Sequence, residues 1–129
     1  MDKQDKQLIK KAKSLAKEKH LAGGVARECV SILITEKGNM FIGVNIDLRC
    51  GIGFCSEHSA IANMLTQGNE TVIKTIVTCN PKSVLAPCGR CRELLRLIDE
   101  KNFETDVIIS EDKKVKLKEL LPFAYQIEK

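Results

Sequence analysis

Pro87-Cys88-Gly89-Arg90-Cys91 and, upstream, Cys55-Ser56-Glu57 hold the residues of this chain best equipped for chemistry. Cys88 and Cys91 lie three apart where a helix opens, so their thiols stand one turn from each other and make half of a tetrahedral zinc site. Arg92-Glu93-Leu94-Leu95-Arg96-Leu97-Ile98 continues that helix. Pro87 suits its first position, because proline's missing N–H would be unpaired there anyway. The free N–H groups and the dipole of a helix start favour thiolates, so depressed thiol pKa values are expected. Cys55 with Glu57 is the best candidate for the other half. Cys55, Cys88 and Cys91 then supply three ligands and leave the fourth position to water, which marks a catalytic rather than a structural site. Zinc brings the pKa of such a water to about 7. Glu57, on the same first turn as Cys55, can face that water without ligating, take its proton and return it to a leaving amine. Acid–base help of this kind is worth roughly 10²–10⁴ in rate. Three thiolates leave the zinc site negative, so positive neighbours are needed. The two helix starts supply some of this, and Arg90, Arg92 or His58 are candidate donors to the sulfurs.

The elements that must position these groups can be read in order. Residues 5–19 place Leu8, Ile9, Ala12, Leu15 and Ala16 at helical spacing among lysines, an amphipathic helix closed by His20 and broken by Gly23-Gly24. Cys29 to Ile34 and Met40 to Ile46 are strand-like runs joined by Glu36-Lys37-Gly38-Asn39, hence a hairpin. Residues 49–54 read as a loop, and a helix then runs from Cys55 to a stop at Gly68-Asn69. Val72 to Cys79 is a third strand, the Pro87 helix runs to about Lys101, and Asp106 to Ile109 is a fourth strand. The link to Val115 is too short for a parallel return, so the last strand folds back as a hairpin. Leu117 to Leu121 is a helical turn stopped by Pro122, with Phe123 and Tyr125 in the tail. The order α-β-β-α-β-α-β-β gives a mixed sheet covered by helices. Both cysteine clusters fall where a loop enters a helix.

The length of 129 residues suits one domain, 1–129. Twenty-one basic and 17 acidic residues are mixed along the chain, with one Tyr, four Phe and no Trp. This argues against a basic groove with stacking aromatics, so nucleic acid is not the expected partner. No apolar run is long enough to span a membrane, and Met1-Asp2-Lys3-Gln4 leads into a charged segment without a secretory core. Six cysteines in such a chain fit a reducing compartment, and a cytoplasmic protein is expected.

Three thiols, a non-ligating glutamate and a P-C-x-x-C run form the pattern of zinc deaminases. Cys55-Ser56-Glu57 followed 33 positions later by Pro87-Cys88-Gly89-Arg90-Cys91 resembles the cytidine deaminase superfamily. The likeness is to its small three-cysteine branch, which contains cytidine deaminase and blasticidin S deaminase. Phe41-Ile42-Gly43-Val44-Asn45 precedes the motif at similar spacing. The stretches Ser83 to Leu95 and Lys118 to Pro122, with Tyr125, look closest to blasticidin S deaminase. The resemblance implies a three-layer α/β/α sandwich with a five-stranded mixed sheet, one Zn²⁺ per subunit and a homotetramer with active sites near subunit contacts. It also implies hydrolytic removal of the C4 amine of a cytosine nucleoside, cytidine or deoxycytidine, as in pyrimidine salvage. A blasticidin-type nucleoside or related amino-pyrimidine is the alternative substrate. By resemblance, Cys55, Cys88 and Cys91 match the zinc ligands and Glu57 the proton shuttle. The Ser56 backbone matches a group that holds the cytosine amine and ring, and Asn45 matches the residue that holds the sugar hydroxyl. Asp47 and Tyr125 are further candidate substrate contacts, with Arg90 and His58 beside the metal ligands.

The departures concern substrate rather than reaction. Asp47 stands where cytidine deaminases usually carry Glu, and His58 where an Arg commonly follows the catalytic Glu. Arg90 matches an Arg of the blasticidin enzyme and is a candidate for the missing positive charge. Arg27-Glu28-Cys29-Val30 replaces the aromatic-Pro-Val-Gly stretch that supports the pyrimidine. Other readings of the cysteines remain open at this level. Cys88-x-x-Cys91 alone fits a redox pair, and a fourth ligand from Cys50, Cys79 or His58 would make the zinc structural. Catalytically idle zinc binding is a third reading. Cys29 and Cys79, in strand patterns, read as buried small hydrophobes, and Cys50 lies in the loop near the site.

Overall fold

Asp2 starts the first helix, α1 (Lys3–Leu15), in the computed structural model, which describes residues 1–126. Its carboxylate accepts the Asp5 N–H, and the Asp5 carboxylate accepts the Asp2 N–H. This reciprocal capping box starts the helix earlier than the expected 5–19 span. The far end also differs. The helix stops at Leu15, whose carbonyl accepts Arg27 Nε at 2.8 Å, and Lys19–Leu21 forms a short strand, β1. His20 therefore does not close a helix: it pairs opposite Val25 and is largely exposed, 3.2 Å from Glu18.

Two long strands follow, β2 (Gly24–Thr35) and β3 (Met40–Leu48), forming the expected antiparallel hairpin. A 3₁₀ turn over Arg49–Gly51 leads to β4 (Gly53–Phe54) and then to α2 (Ser56–Asn63). α2 widens into a π turn over Met64–Gly68, which ends on Asn69 in the left-handed region. Next come β5 (Ile73–Cys79), β6 (Val84–Leu85), α3 (Gly89–Ile98), a 3₁₀ turn over Glu100–Glu104, β7 (Asp106–Ser110), β8 (Lys113–Lys116) and α4 (Leu117–Leu120).

The sheet runs β4-β3-β2-β5-β7-β8, with β1 on β2 and β6 on β5. β5 and β7 are parallel, joined by the α3 crossover, and β7–β8 is the expected hairpin. All five expected strands are present, but the sheet has eight. The additional β1, β4 and β6 are two or three residues long, too short to show a period of two.

Alternation along the strands sorts side chains to the two faces. Val30, Ile32 and Ile34 of β2, with Val77 and Cys79 of β5, pack with Leu8, Ile9, Ala12 and Ala16 of α1. Leu33 and Ile76 join the opposite cluster, with Ala60, Ile61 and Met64 from the α2 segment and Leu95 of α3. The result is a three-layer α/β/α arrangement. Gly43 allows α2 to lie close on β3: a Cβ there would stand 2.1 Å from the Ala60 nitrogen. That close approach fixes the height of α2, and with it the position of its first turn.

Candidate active site

Cys55 and Cys88 are the N-caps of α2 and α3, and Cys91 lies in the first turn of α3. The two helix starts thus meet at one point. The Cys55 and Cys88 sulfurs are 3.7 Å apart, those of Cys88 and Cys91 3.4 Å, and all three lie within 4.8 Å of one another. Among the described residues no fourth Cys, His, Asp or Glu joins this group. Pro87 is two places before the first helical position expected for it, because the N-cap falls on Cys88 and the helix begins at Gly89. Its carbonyl accepts Arg92 Nε at 2.8 Å, and Arg92 Nη1 reaches the Leu120 carbonyl at 3.3 Å. Arg92 therefore braces α3 against α4 instead of donating to a sulfur.

The three sulfurs fit zinc. A tetrahedral ion with bonds of about 2.3 Å needs sulfurs about 3.8 Å apart, close to the observed spacing. Their electrostatics point the same way. Burial pushes the Cys91 thiol far up, with Glu57 and the neighbouring sulfurs adding to the effect. Cys55 is also raised, chiefly by burial. Burial pushes Cys88 upward too, but N–H groups of Cys91 and Arg90 and the two other thiols outweigh it and leave Cys88 below the ordinary thiol value. The expected depression thus holds for Cys88 alone. Burial, with Glu57 and the neighbouring sulfurs adding to it, disfavours the thiolates of Cys55 and Cys91 more than two helix starts offset, and a divalent cation is the natural compensation.

Glu57 is buried beside the trio, 4% exposed. It lines a cavity of about 390 Å³ with Cys55, Cys88, Ser56, Asn45 and Asp47, within the size range of small-molecule sites. Asn45 and Asp47 share one face of β3, as residues two apart on a strand do. The Asn45 carboxamide is held from behind: its Oδ1 accepts the Cys29 N–H at 2.9 Å and its Nδ2 donates to Glu28 Oε1 at 3.4 Å. Arg90 lines the cavity, and its side chain is exposed.

Other candidates are placed elsewhere. His58 is not in the wall of this cavity; its Nε2 is buried without a hydrogen-bond partner, and burial, then Arg90, lowers its pKa. Tyr125 is 73% exposed on the tail and does not line the cavity of its own chain. Cys50 is exposed, with φ of 64° in the 3₁₀ turn, and is also outside the lining. Cys79 is fully buried, and burial pushes its thiol up to about 11.

Cys29 is a correction, since it lines the cavity rather than the core. The β2–β3 register breaks between Ala26 and Val30, and Arg27 has φ of 65°. This bulge turns Glu28 and Cys29 toward Asn45. A left-handed arginine has no sequence signal. Its consequence is that, of the residues replacing the aromatic-Pro-Val-Gly stretch, Cys29 lines the cavity and Glu28 holds Asn45.

Fold and site together define an α/β/α protein with an open three-thiol centre beside a buried carboxylate. The family model described as the cytidine and deoxycytidylate deaminase zinc-binding region matches residues 2–105. The chain belongs to this family. A cytidine deaminase of Mycoplasma genitalium is 37% identical over 68 residues, covering 51% of this chain and 52% of that protein, so the match spans about half its length. One from Halalkalibacterium halodurans is 27% identical over 104 residues, covering 74% of this chain and 75% of the other. Among solved structures, a mutant cytidine deaminase of Mycobacterium tuberculosis superposes with a TM-score of 0.79 at 21% identity, covering 98% of both chains. That of Burkholderia pseudomallei gives 0.73 at 21% identity, covering 97% of this chain and 100% of the other. At such identities these structures show the shared fold.

Proposed function

We propose that the protein is a zinc-dependent hydrolase that removes the C4 amine of a cytosine nucleoside, cytidine or deoxycytidine, giving the uracil form and ammonia. The observation that carries this reading is the three-sulfur cluster, joined among the described residues by no fourth Cys, His, Asp or Glu, with Glu57 in the wall of the same cavity. Cys55, Cys88 and Cys91 would hold one zinc ion per subunit, which when bound supplies an activated water and Lewis acidity. The Glu57 carboxylate accepts a proton from the attacking water and passes it to ring N3 as the C4–O bond forms, then carries the hydroxyl proton to the amino nitrogen as the C4–N bond breaks. Ammonia leaves, and the oxygen stays on the ring. Its burial keeps bulk water from competing for that proton. The Ser56 backbone, at the start of α2, holds the ring edge. Asn45 offers Nδ2 to a sugar hydroxyl, because its Oδ1 is already occupied by Cys29 N–H. Asp47 accepts from a second hydroxyl. Arg90, in the cavity wall, adds positive charge near the sulfurs. Residues 1–129 act as one domain on a free cytoplasmic metabolite, not on nucleic acid or a membrane. A homotetramer would bring a neighbour's tail, with Tyr125, toward the cavity.

A blasticidin S deaminase-like activity is the second reading. The wall around Asn45 favours it: Cys29 lines the cavity where the aromatic-Pro-Val-Gly stretch is replaced, and Glu28 holds the Asn45 carboxamide from behind. Zinc content measured together with turnover of cytidine, deoxycytidine, cytidine monophosphate and blasticidin S tests both. Close to one zinc per chain and loss of the amino-pyrimidine absorbance with a nucleoside are expected. No turnover of any of the four would overturn the proposal.

A further inference from the structure

Ser31 lies in the middle of the sheet, on β2, with no exposed surface, and faces α2 where its strand neighbour Leu33 is apolar. Thr78 of β5 is its cross-strand partner. The Ser31 hydroxyl is 2.5 Å from Thr78 Oγ1 and 2.7 Å from Ser56 Oγ, and Ser56 Oγ is 3.4 Å from Glu57 Oε1. All four residues are buried. Resting on the deaminase reading, we propose that Ser31 and Ser56, backed by Thr78, form a hydroxyl chain that positions the Glu57 carboxylate for proton transfer.

The direction of the chain follows from what each group can do. An ionised carboxylate only accepts, so Ser56 donates its single hydroxyl proton to Glu57. Ser56 Oγ must then accept from Ser31, and Ser31 Oγ from Thr78. Every proton points toward Glu57, and such aligned hydroxyls strengthen one another. Hydroxyls buried only for packing would be expected to close on nearby carbonyls, as Thr105 Oγ1 does on the Ile73 carbonyl at 2.7 Å. This chain instead crosses from β5 through β2 to the first turn of α2 and ends on Glu57, the buried carboxylate that lines the cavity. The two inner steps are short and the last is long, which lets Glu57 advance toward a bound substrate while still guided by Ser56. Ser31, Ser56 and Thr78 are therefore positioning residues.

The test uses Ser31→Ala, Ser56→Ala and the double variant in the full chain. Each single variant should lower kcat about tenfold to a hundredfold, with KM within about twofold and zinc content unchanged. The double variant should be no slower than the slower single, because both break one chain. Thr78→Val breaks it from the far end with little change of volume, and serves if Ser31→Ala does not fold. Crystal structures of the variants give a readout independent of turnover: Glu57 should spread over more than one rotamer. Additive losses, unchanged kcat, or a single Glu57 rotamer in the variants would each overturn the inference. Absence of turnover by the unaltered protein would instead overturn the deaminase reading, and the rotamer comparison would still decide the positioning role.

Discussion

On the α1 side of the sheet, Val30, Ile32, Val77 and Cys79 meet Leu8, Ile9 and Ala12 in a sealed apolar layer. One residue along, the same strands turn Ser31 and Thr78 to the α2 side, where their hydroxyls lead to Glu57. The cysteines sharpen the contrast. Cys79 is a thiol with no cysteine bonded to it, its sulfur 3.8 Å from the Ile9 carbonyl, and burial pushes it up to about 11. Cys91 is equally buried and also raised, yet lies 3.4 Å from a second sulfur, with a third close by. Burial alone does not make a thiol a ligand; company at the right distance does. One face is built to exclude polarity, and the other concentrates it at the meeting of two helix starts.

The largest expected effect separates those two kinds of thiol. Cys88→Ser should abolish stoichiometric zinc binding and reduce turnover to background, whereas Cys79→Ala should keep both and cost about 1 kcal/mol of stability. Zinc analysis and denaturant unfolding of the two variants check this; equal zinc loss in both would erase the contrast between the faces. Glu57→Gln comes next: kcat should fall by roughly 10²–10⁴ while zinc content stays near that of the parent. Undiminished turnover would remove Glu57 from the chemistry. On the apolar side, Ile32→Ala should destabilise by about 2–5 kcal/mol through transfer and cavity terms, with zinc binding retained in the folded fraction. The smallest effect belongs to the polar tether of α1, in which Lys114 Nζ lies 2.9 Å from Asp5 Oδ2. That bond raises the Lys114 pKa. Its contribution is therefore complete below the ordinary lysine value of 10.5 and fades as pH rises through the higher folded value. Lys114→Met should cost about 1 kcal/mol at pH 7, and the difference should close in unfolding curves taken above that range.

The long elements were legible because each buries one face. α1 shows its stripe of Leu8, Ile9 and Ala12, and β2 and β5 show runs of β-branched residues that only a covered central strand tolerates. The short strands β1, β4 and β6 had no such signal, since their place depends on the longer strands they pair with. The site divides in the same way. Cys55, Glu57, Cys88 and Cys91 could be grouped from residue type and local spacing. Cys29 read as core because a strand pattern does not announce a bulge, and the left-handed Arg27 that creates it is held by a carbonyl of α1, 12 residues away.

By itself the sequence determined the α/β alternation, the choice of sulfur ligands and the presence of an acid–base carboxylate, all of which depend on neighbours a few residues apart. Tertiary structure alone decided that the two helix starts converge, that no other described Cys, His, Asp or Glu reaches the sulfurs, and that three hydroxyls line up behind Glu57. Those facts depend on groups 25 to 47 residues apart meeting within a few ångströms. Only the packing of α2 and α3 on one face of the sheet fixes such distances.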